Sequence, residues 1–242
     1  MMNRKVFVFV LMGALLLITS CNLVGLRTGP TQTESHSVEA GAAETVDVTI
    51  NMGVGELEVG GGADNLLDAE FTYNVEDWRP EVNYNVSGSQ GELTISQPES
   101  DIEGIPDGSV RNEWQLRLNS TIPMSLIANL GVGTSNLNLS GLTLTELEVR
   151  TGVGETTIDL AGDWQQSFAV NIEGGVGATT VRLPRDVAVQ VTTSTGIGNV
   201  TVNDLNRDGD TYTNDAYDAG ADVVLDVTVE GGVGEITLEL GD

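Results

Sequence analysis

The sequence predicts an all-β domain built as a β-solenoid or β-roll, in which two-strand coils stack on one another. Two observations point to this fold class. A Gly-Val-Gly or Gly-Ile-Gly triplet recurs along the chain, and apolar residues alternate with polar ones on both sides of the triplets. Alternation with a period of two indicates strands that bury one face. A β-sandwich is the alternative, because the same alternation also suits antiparallel strands.

Six triplets mark the repeat, and their first glycines lie 78, 21, 23, 21 and 36 residues apart. The shorter intervals give the length of one coil, the interval of 36 residues indicates one coil with an insertion, and the longest leaves room for roughly three diverged coils. A unit this short cannot bury its own apolar face, so successive units stack. The triplets are Gly53-Val54-Gly55, Gly131-Val132-Gly133, Gly152-Val153-Gly154, Gly175-Val176-Gly177, Gly196-Ile197-Gly198 and Gly232-Val233-Gly234.

Each triplet is expected to join two strands. Apolar side chains stand three, five and seven residues before the first glycine, as at Ile50, Val48 and Val46, and again six residues after it, as at Val59. The alternate positions, such as Asp47, are polar and are expected to face water. Glycine tolerates the backbone angles and the close backbone approach of a corner. We expect the middle valine to point inward and fill that corner.

The repeat domain is expected to cover residues 44–242 in two parts. Residues 44–124 are predicted to form diverged, aromatic-rich coils, and residues 125–242 regular coils with an insertion at 204–219. The first part contains Trp78 and Trp114. We expect its aromatic side chains to pack in the interior, and a platform that stacks carbohydrate is the alternative.

The composition limits the classes of partner and chemistry. The 242 residues include 36 acidic and 10 basic side chains, with a formal charge of -26. We expect no nucleic-acid partner, because phosphate binding needs a clustered cationic surface. The single cysteine, Cys21, excludes a disulfide within the chain and a Cys-based zinc site, and the single histidine, His36, weakens any Ser-His-Asp arrangement.

The first residues have the pattern of a secretion signal. Two basic residues, Arg4 and Lys5, precede an apolar run over residues 6–18. The sequence Ile-Thr-Ser-Cys that ends at Cys21 resembles a bacterial lipobox, which implies that residues 1–20 are a lipoprotein signal peptide and that Cys21 is the lipid attachment site. An ordinary cleaved signal, or a buried apolar helix with a chance cysteine, is the alternative.

A flexible tether is expected to follow the lipidated cysteine. Residues 21–43 lack periodicity and are rich in Gly, Ser, Thr and Ala, as is typical of flexible linkers. His36 lies in this stretch and is expected to be solvated. Two or more acyl chains suffice for stable membrane attachment. The protein is therefore expected at a cell membrane, lipid-anchored on the extracytoplasmic face.

The run INMGVGELEVGGGADNLLDAEFTYN, followed by WRPEVNY, GELTIS, NEWQLRLN and the recurring GVG units, resembles the bacterial toast-rack family. It is similar, more distantly, to the putative-adhesin and LiaF C-terminal-domain families. The resemblance covers about residues 44–241. It implies a stacked-strand β fold at the cell envelope and, for LiaF relatives, a role in sensing envelope stress. It supplies no catalytic residues.

The insertion at 204–219 contains the best candidate for a ligand site. Its spacing matches the calcium-loop pattern D-x-[DN]-x-[DN]-G, in which carboxylate and amide oxygens wrap the ion and the glycine permits a sharp turn. Calcium is therefore a possible cofactor. A solvated turn between two strands is the alternative, because Asn, Asp and Gly are common in turns. The candidate calcium ligands are Asp204, Asn206, Asp208, Asp210 and Asp215.

These observations favour a non-catalytic adhesion, binding or structural module over an enzyme. Its expected partners are the membrane through the lipid anchor, and an envelope protein or a surface glycan. An envelope-stress sensing accessory of the LiaF type and a polysaccharide-active enzyme with paired carboxylates are the alternatives. Asp159 and Arg182 are expected to form a surface ion pair on neighbouring coils. The terminal strand over residues 235–240 is expected to be an open edge, protected by its glutamates or used for end-to-end association.

Overall fold

The computed structural model describes residues 28–99 and 109–241 of the chain. The fold is almost all β, with 67% strand and 3% helix. The segment at 1–20 and Cys21 lie outside the described residues, so the predictions made for them stay predictions. None of the helices in the described ranges has the length and apolar character needed to cross a membrane.

Fourteen strands, one short 3-10 helix (Glu76–Trp78) and one short α-helix, α1 (Asp215–Asp218), follow one another along the described chain. The strands are β1 (Gln32–Val38), β2 (Thr45–Ala63), β3 (Leu67–Tyr73), β4 (Glu81–Ser87), β5 (Gln90–Ser96), β6 (Asn112–Asn119), β7 (Met124–Asn138), β8 (Leu144–Asp159), β9 (Phe168–Glu173), β10 (Val176–Leu183), β11 (Ala188–Val202), β12 (Asn206–Asp208), β13 (Thr211–Thr213) and β14 (Val224–Leu240).

Each coil consists of two arms that meet at a triplet. In β7 the strand continues through the triplet, and Gly133 at the third position has a φ of +146°. Residues 139–143 then return the chain to the first arm of β8, which pairs in parallel with β7. The triplets stay in register, so that Val132 is opposite Val54 on one side and Val153 on the other. This parallel stacking confirms the β-solenoid and excludes a β-sandwich of hairpins.

The coils do not stack in sequence order. The arms of β2 pair with β5 and β6 on one side and with β7 on the other, and β8 follows β7. The coil of β9 and β10 lies next to β8. The last strand, β14, then lies between that coil and β11, which precedes it in the chain. The insertion between β11 and β14 is long enough to lead the chain past β11 to the position of β14 beside β10.

Antiparallel strands cover parts of both ends of the stack. At one end β3 pairs with β6, β1 with β3, and β4 with β5. The region 44–124 therefore contributes the triplet coil of β2 and one diverged coil, formed by β5 and β6, where several diverged coils were expected. The rest of its aromatic-rich sequence forms antiparallel strands. At the other end the hairpin of β12 and β13 lies against the first arm of β11.

The strand β1 corrects the prediction of a flexible tether for residues 32–38, which are part of the predicted range 21–43. Residues 32–38 pair with β3 along their whole length, because the outer edge of β3 offers backbone groups that need partners. His36 is not freely solvated: its ring packs edge-on against Phe71, with ring centroids 5.5 Å apart. The ordered domain thus begins earlier than the sequence pattern indicates.

The core lies between the two arms. Val46, Val48 and Ile50 on the first arm of β2 and Val59 on the second are buried, as the alternation predicts. The equivalent positions of the other coils join them in one hydrophobic cluster that runs the length of the stack.

The triplet valines do not fill the corner, and the prediction that they point inward is wrong. In β2 the buried positions change from even to odd residue numbers between Met52 and Leu57. Gly55, with a φ of +147°, lies within this change of phase. At that point the strand changes which of its two faces points to the core. Val54 therefore lies on the convex side of the corner and is exposed.

Candidate functional site

The exposed triplet side chains form a continuous apolar ridge along the convex corner. The ridge consists of six in-register residues, with exposed fractions from 37% at Val54 to 73% at Ile197. Neighbouring members lie one strand spacing apart, about 4.8 Å. Such a row is unusual on an acidic protein. Contiguous exposed apolar side chains commonly mark interaction sites, so the ridge is a candidate for one. In stacking order the members are Val54, Val132, Val153, Val176, Val233 and Ile197.

The glycines around the ridge allow the coils to approach each other closely. A Cβ atom on Gly133 would overlap the carbonyl oxygen of Gly55 on the neighbouring coil. At the β5–β6 end of the ridge, side chains replace the missing next triplet. The Gln97 side-chain oxygen accepts hydrogen bonds from the backbone N–H groups of Gly53 and Val54 at 3.0 and 3.1 Å. The Asn112 side-chain amide donates to the Val54 carbonyl at 2.6 Å.

A polar face covers the outer side of the second arms. One in-register row crosses nine strands and consists of Ser35, Glu70, Gln115, Glu58, Asn136, Thr157, Thr180, Thr237 and Thr201. At the β1 end this face forms an open groove of about 910 Å³. The groove presents carboxylate, amide, hydroxyl and guanidinium groups together, and its lining includes Ser35, Glu58, Glu70, Gln115, Arg117 and Asn136.

Asp159, Arg182 and Glu239 form ion pairs across three coils. Arg182 Nε donates to Glu239 Oε1 at 2.9 Å, and Arg182 Nη1 lies 3.9 Å from Asp159 Oδ2. The predicted pair of Asp159 and Arg182 is therefore confirmed. The contribution of Glu239 was missed, because sequence order does not place β14 beside β10. All three side chains are partly exposed, so the ion pairs contribute about 0–1 kcal/mol each.

The aromatic side chains pack in the interior and form no exposed stacking platform within the described residues. Phe71, Tyr73 and Trp114 are buried, and Phe71 packs edge-on against Trp114 with ring centroids 5.4 Å apart. Tyr73 donates a hydrogen bond of 2.8 Å to Glu34. Burial, and then this hydrogen bond, raises the pKa of Tyr73 to about 12. The same hydrogen bond, with a further contribution from Arg79, holds the pKa of Glu34 below its usual value.

The insertion at 204–219 folds as a hairpin followed by one helical turn. Asp208 pairs with Thr211, so that Gly209 and Asp210 form a two-residue turn. Gly209 has a φ of +64°, which suits such a turn. The glycine that matched the calcium pattern therefore serves the hairpin, as the turn alternative predicted.

Three of the five candidate calcium ligands, Asp204, Asn206 and Asp215, line one open cleft, and Asp208 and Asp210 are not part of its lining. Asp204 precedes the hairpin, Asp208 and Asp210 lie at its tip, and Asp215 begins α1. The Asn206 amide donates to Asp215 at 3.3 Å, so these two are in contact. Over residues 28–99 and 109–241, no group of three or more His, Cys, Asp or Glu side chains is arranged to hold a metal ion.

A buried asparagine that the sequence pattern did not single out fixes the insertion to the stack. Asn214 is 1% exposed, and its amide nitrogen donates to three backbone carbonyls, at Pro184, Arg185 and Val187. Its side-chain oxygen accepts from the backbone N–H of Val189 at 3.0 Å. Asn214 also caps α1, and Asn before a helix is the available sequence signal for that role.

The open edge of the stack lies on β11, and the prediction that residues 235–240 form an edge is wrong. Those residues belong to β14, which has neighbours on both sides. On the side of β11 away from β14, β13 pairs with Gln190–Thr192 alone. Within the described part of the chain, no strand pairs with residues 194–202 on that side. The reversed order of the last two coils moves the edge to an internal segment of the sequence.

Comparisons with known proteins agree with this architecture. A family model described as the N-terminal domain of toast_rack matches residues 27–182, and a model described as cell wall-active antibiotics response LiaF, C-terminal, matches residues 131–238. No curated protein sequence matches the chain.

Several solved structures are similar to the chain. A putative cell adhesion protein from Clostridium sporogenes is 35% identical, with a TM-score of 0.85 over 88% of this chain and 100% of that one. Putative adhesins from Bacteroides fragilis and Parabacteroides distasonis are 13% and 15% identical, with TM-scores of 0.35 and 0.26. They match over 88% and 90% of this chain and 100% of each of theirs. The first family model covers more than half of the chain, and the Clostridium structure has the same fold over its whole length. The chain therefore belongs to the toast-rack family.

Proposed function

We propose that this chain is a lipid-anchored, non-catalytic binding module at the extracytoplasmic face of a bacterial cell membrane, and that it acts in adhesion to a surface glycan. The observation that carries the proposal is the in-register polar row on the second arms, which ends in the open groove at β1. Its hydroxyl, amide and carboxylate groups repeat at the strand spacing, so it suits a ligand that repeats its own hydroxyl groups.

The architecture supports binding in a second way. Strand pairing, antiparallel from β1 through β3 to β6 and parallel from β6 through β2 to β7, fixes the strands of the groove over one continuous core. The polar groups of the groove are therefore held at constant spacing before a ligand arrives. A site that is already ordered loses little conformational entropy on binding. The similar structure from Clostridium sporogenes, named a putative cell adhesion protein, supports the same class of function. The lipid anchor rests on Cys21 and the segment before it.

Cosedimentation of the purified full-length chain with insoluble envelope polysaccharide tests glycan binding. We expect saturable binding that a Gln115→Ala and Asn136→Ala double variant weakens, because both side chains line the groove. An Asn83→Ala and Asn171→Ala double variant, which removes two exposed amides outside the groove, is expected to bind normally. Equal losses in both variants, or no binding, would contradict the proposal. Release of reducing ends from the polysaccharide would favour an enzyme.

The anchor has a separate test in the producing cell. We expect a Cys21→Ser variant to leave the membrane fraction, while the native chain stays with the membrane after a high-salt wash. Loss of the native chain from membranes in that wash would contradict lipid attachment, because salt screens electrostatic adsorption and does not remove acyl chains.

A sensing accessory of an envelope-stress system is the second candidate. It is favoured by the match of residues 131–238 to the LiaF C-terminal model. On this alternative the partner is a membrane signalling protein. Crosslinking in the cell, followed by capture of a sensor kinase by the native chain and not by the groove variant, would favour the alternative over glycan adhesion.

A further inference from the structure

The unpaired segment of β11, residues 194–202, is called here the open edge. Beyond the end of β13, the Thr193 backbone N–H donates to the Asp210 carbonyl at 3.1 Å, and the cover provided by the hairpin stops there. An unpaired strand edge presents a row of backbone donors and acceptors to any extended chain that approaches it.

The open edge lacks the charges that commonly protect such edges. No charged residue occurs between Asp186 and Asp204, a stretch that contains the whole of β11. The other outer strands do carry charges: Glu34 in β1, Glu81 in β4, and Arg207 with Asp208 in β12. Natural proteins place charges on exposed edges to prevent unwanted strand pairing. Their absence over residues 187–203 distinguishes this edge from the rest.

Apolar side chains also remain uncovered at the open edge. Ile197 is 73% exposed, the most exposed large hydrophobic side chain of the described residues. Val200 and Val202 pack against the core and are only partly buried. A strand added beside β11 would cover all three, and it would extend the ladder in the direction that the stack already follows.

The charges around the open edge indicate the chemistry of the added strand. Where the edge ends, an open cleft of about 780 Å³ is lined by Asp186, Asp204 and Asp215, with Arg185 as its cation. The whole chain carries a formal charge of -26. A second copy would therefore meet like charges, whereas lysine or arginine at one end of a partner strand would meet opposite ones.

We infer that the open edge of β11 binds an extended segment of a partner protein that is uncharged in its pairing strand and carries Lys or Arg beside it. The strand adds in β-augmentation to residues 194–202, and its basic side chains lie at the cleft formed by Asp186, Asp204 and Asp215. This surface is separate from the groove lined by Gln115 and Asn136, so the inference goes beyond the proposed glycan adhesion.

Fluorescence anisotropy with the purified full-length chain tests the inference. The probe is a labelled peptide of sequence KTVTVTVK, and its controls are ETVTVTVE and a KTVTVTVK peptide N-methylated at alternate residues. We expect saturable binding of the first peptide and weak or no binding of the controls, because they lack the basic ends or the backbone donors. Equal binding of the N-methylated peptide, or no binding of the first, would overturn the inference.

Two matched protein variants locate the site. An Asp186→Asn and Asp204→Asn double variant is expected to weaken binding of the basic peptide about threefold or more. Asparagine suits position 204 because Asp204 has a φ of +62°. An Asp77→Asn and Asp163→Asn double variant makes the same change of charge at sites outside the cleft lining and is expected to bind normally. Equal weakening in both variants, or a dimer in sedimentation that excludes the peptide, would overturn the inference.

Discussion

A methyl group placed on Gly154 would overlap the carbonyl oxygen of Gly133 on the neighbouring coil. Gly154 also has a φ of +142°, which side chains rarely allow. Glycine is thus required at this position for two independent reasons, the spacing between the coils and the backbone angle at the corner. The same relationship holds at the third position of each triplet that follows the first in the stack, which is why the triplet persists while its flanking residues vary.

A Gly154→Ala variant is therefore expected to lower the free energy of unfolding by about 2–4 kcal/mol. Gly141→Ala is the matched control, because nothing lies within 4 Å of a Cβ atom there and the φ of Gly141 is not positive. Urea denaturation of the two variants measures the difference. Similar stabilities for both would contradict close packing at the triplets.

The outward direction of the ridge has its own test. Val153 is half exposed, so Val153→Ala is expected to change the free energy of unfolding by less than about 1 kcal/mol. Ile158, on the same strand, is fully buried, and Ile158→Ala is expected to cost about 2–5 kcal/mol through the cavity that it leaves. Thermal denaturation of the pair checks this, and a large loss in Val153→Ala would place the valine inside the corner.

The alternation before and after each triplet identifies most core positions, because the period-two rule depends only on local geometry. Thr145, seven residues before Gly152, is an exception: it is exposed, and the pairing of β7 with β8 shifts register there. The direction of Val54 could not be derived from the same rule, since the change of phase near Gly55 depends on the backbone angle at a corner. The order of β11 and β14 is a property of tertiary packing: both strands carry the same pattern, and either would suit the position beside β10. The interval of 36 residues indicates that an insertion follows the fifth triplet. It does not indicate on which side of β11 the next long strand, β14, pairs.

The candidate functional surfaces could be predicted from the sequence only in part. The polar face was expected in outline, because the alternate strand positions are polar, whereas the groove depends on β1, which lies in the predicted tether. Asn214 and Gln97 resemble any loop amide in the sequence. Their importance comes from carbonyls and N–H groups that only the fold brings near.

The contact between Tyr73 and Glu34 predicts a pH dependence at both extremes. The pKa of Tyr73 is raised from 10.0 to about 12, so its contribution to stability is present below about pH 10 and is lost as the pH rises towards 12. The pKa of Glu34 is lowered, so its contribution is present above pH 4.5 and is lost as the pH falls further.

Tyr73→Phe is therefore expected to flatten both limbs of the stability–pH curve and to cost about 1 kcal/mol at neutral pH. Urea midpoints measured from pH 3 to pH 11 check the prediction. Tyr84→Phe serves as the control for the acid limb, because the Tyr84 hydroxyl donates to the Ala40 carbonyl and not to a carboxylate. Burial also raises the pKa of Tyr84, so this variant is expected to flatten the alkaline limb and to leave the acid limb unchanged. Unchanged limbs in Tyr73→Phe would contradict the role of this hydrogen bond.

Calcium is expected to have no effect on the insertion, because Gly209 and Asp210 form the turn of a hairpin and no three carboxylates of the described residues are arranged to hold a metal ion. Isothermal titration of calcium into the full-length chain, beside an Asp208→Ala and Asp210→Ala double variant, measures this. We expect no saturable heat and no change in melting temperature at millimolar calcium. Saturable binding that disappears in the double variant would restore the calcium hypothesis.

The exchange of the last two coils decides which strand is the open edge and which residue ends the ridge. Thr180 on β10 is opposite Thr237 on β14, and Thr237 is opposite Thr201 on β11. Adjacent strands lie about 4.8 Å apart and alternate strands about twice that distance, which is beyond the reach of a disulfide. The most direct measurement is oxidative crosslinking of paired cysteine variants in a Cys21→Ser background. We expect a disulfide in Thr180→Cys with Thr237→Cys and none in Thr180→Cys with Thr201→Cys, and the reverse result would contradict this order of the strands.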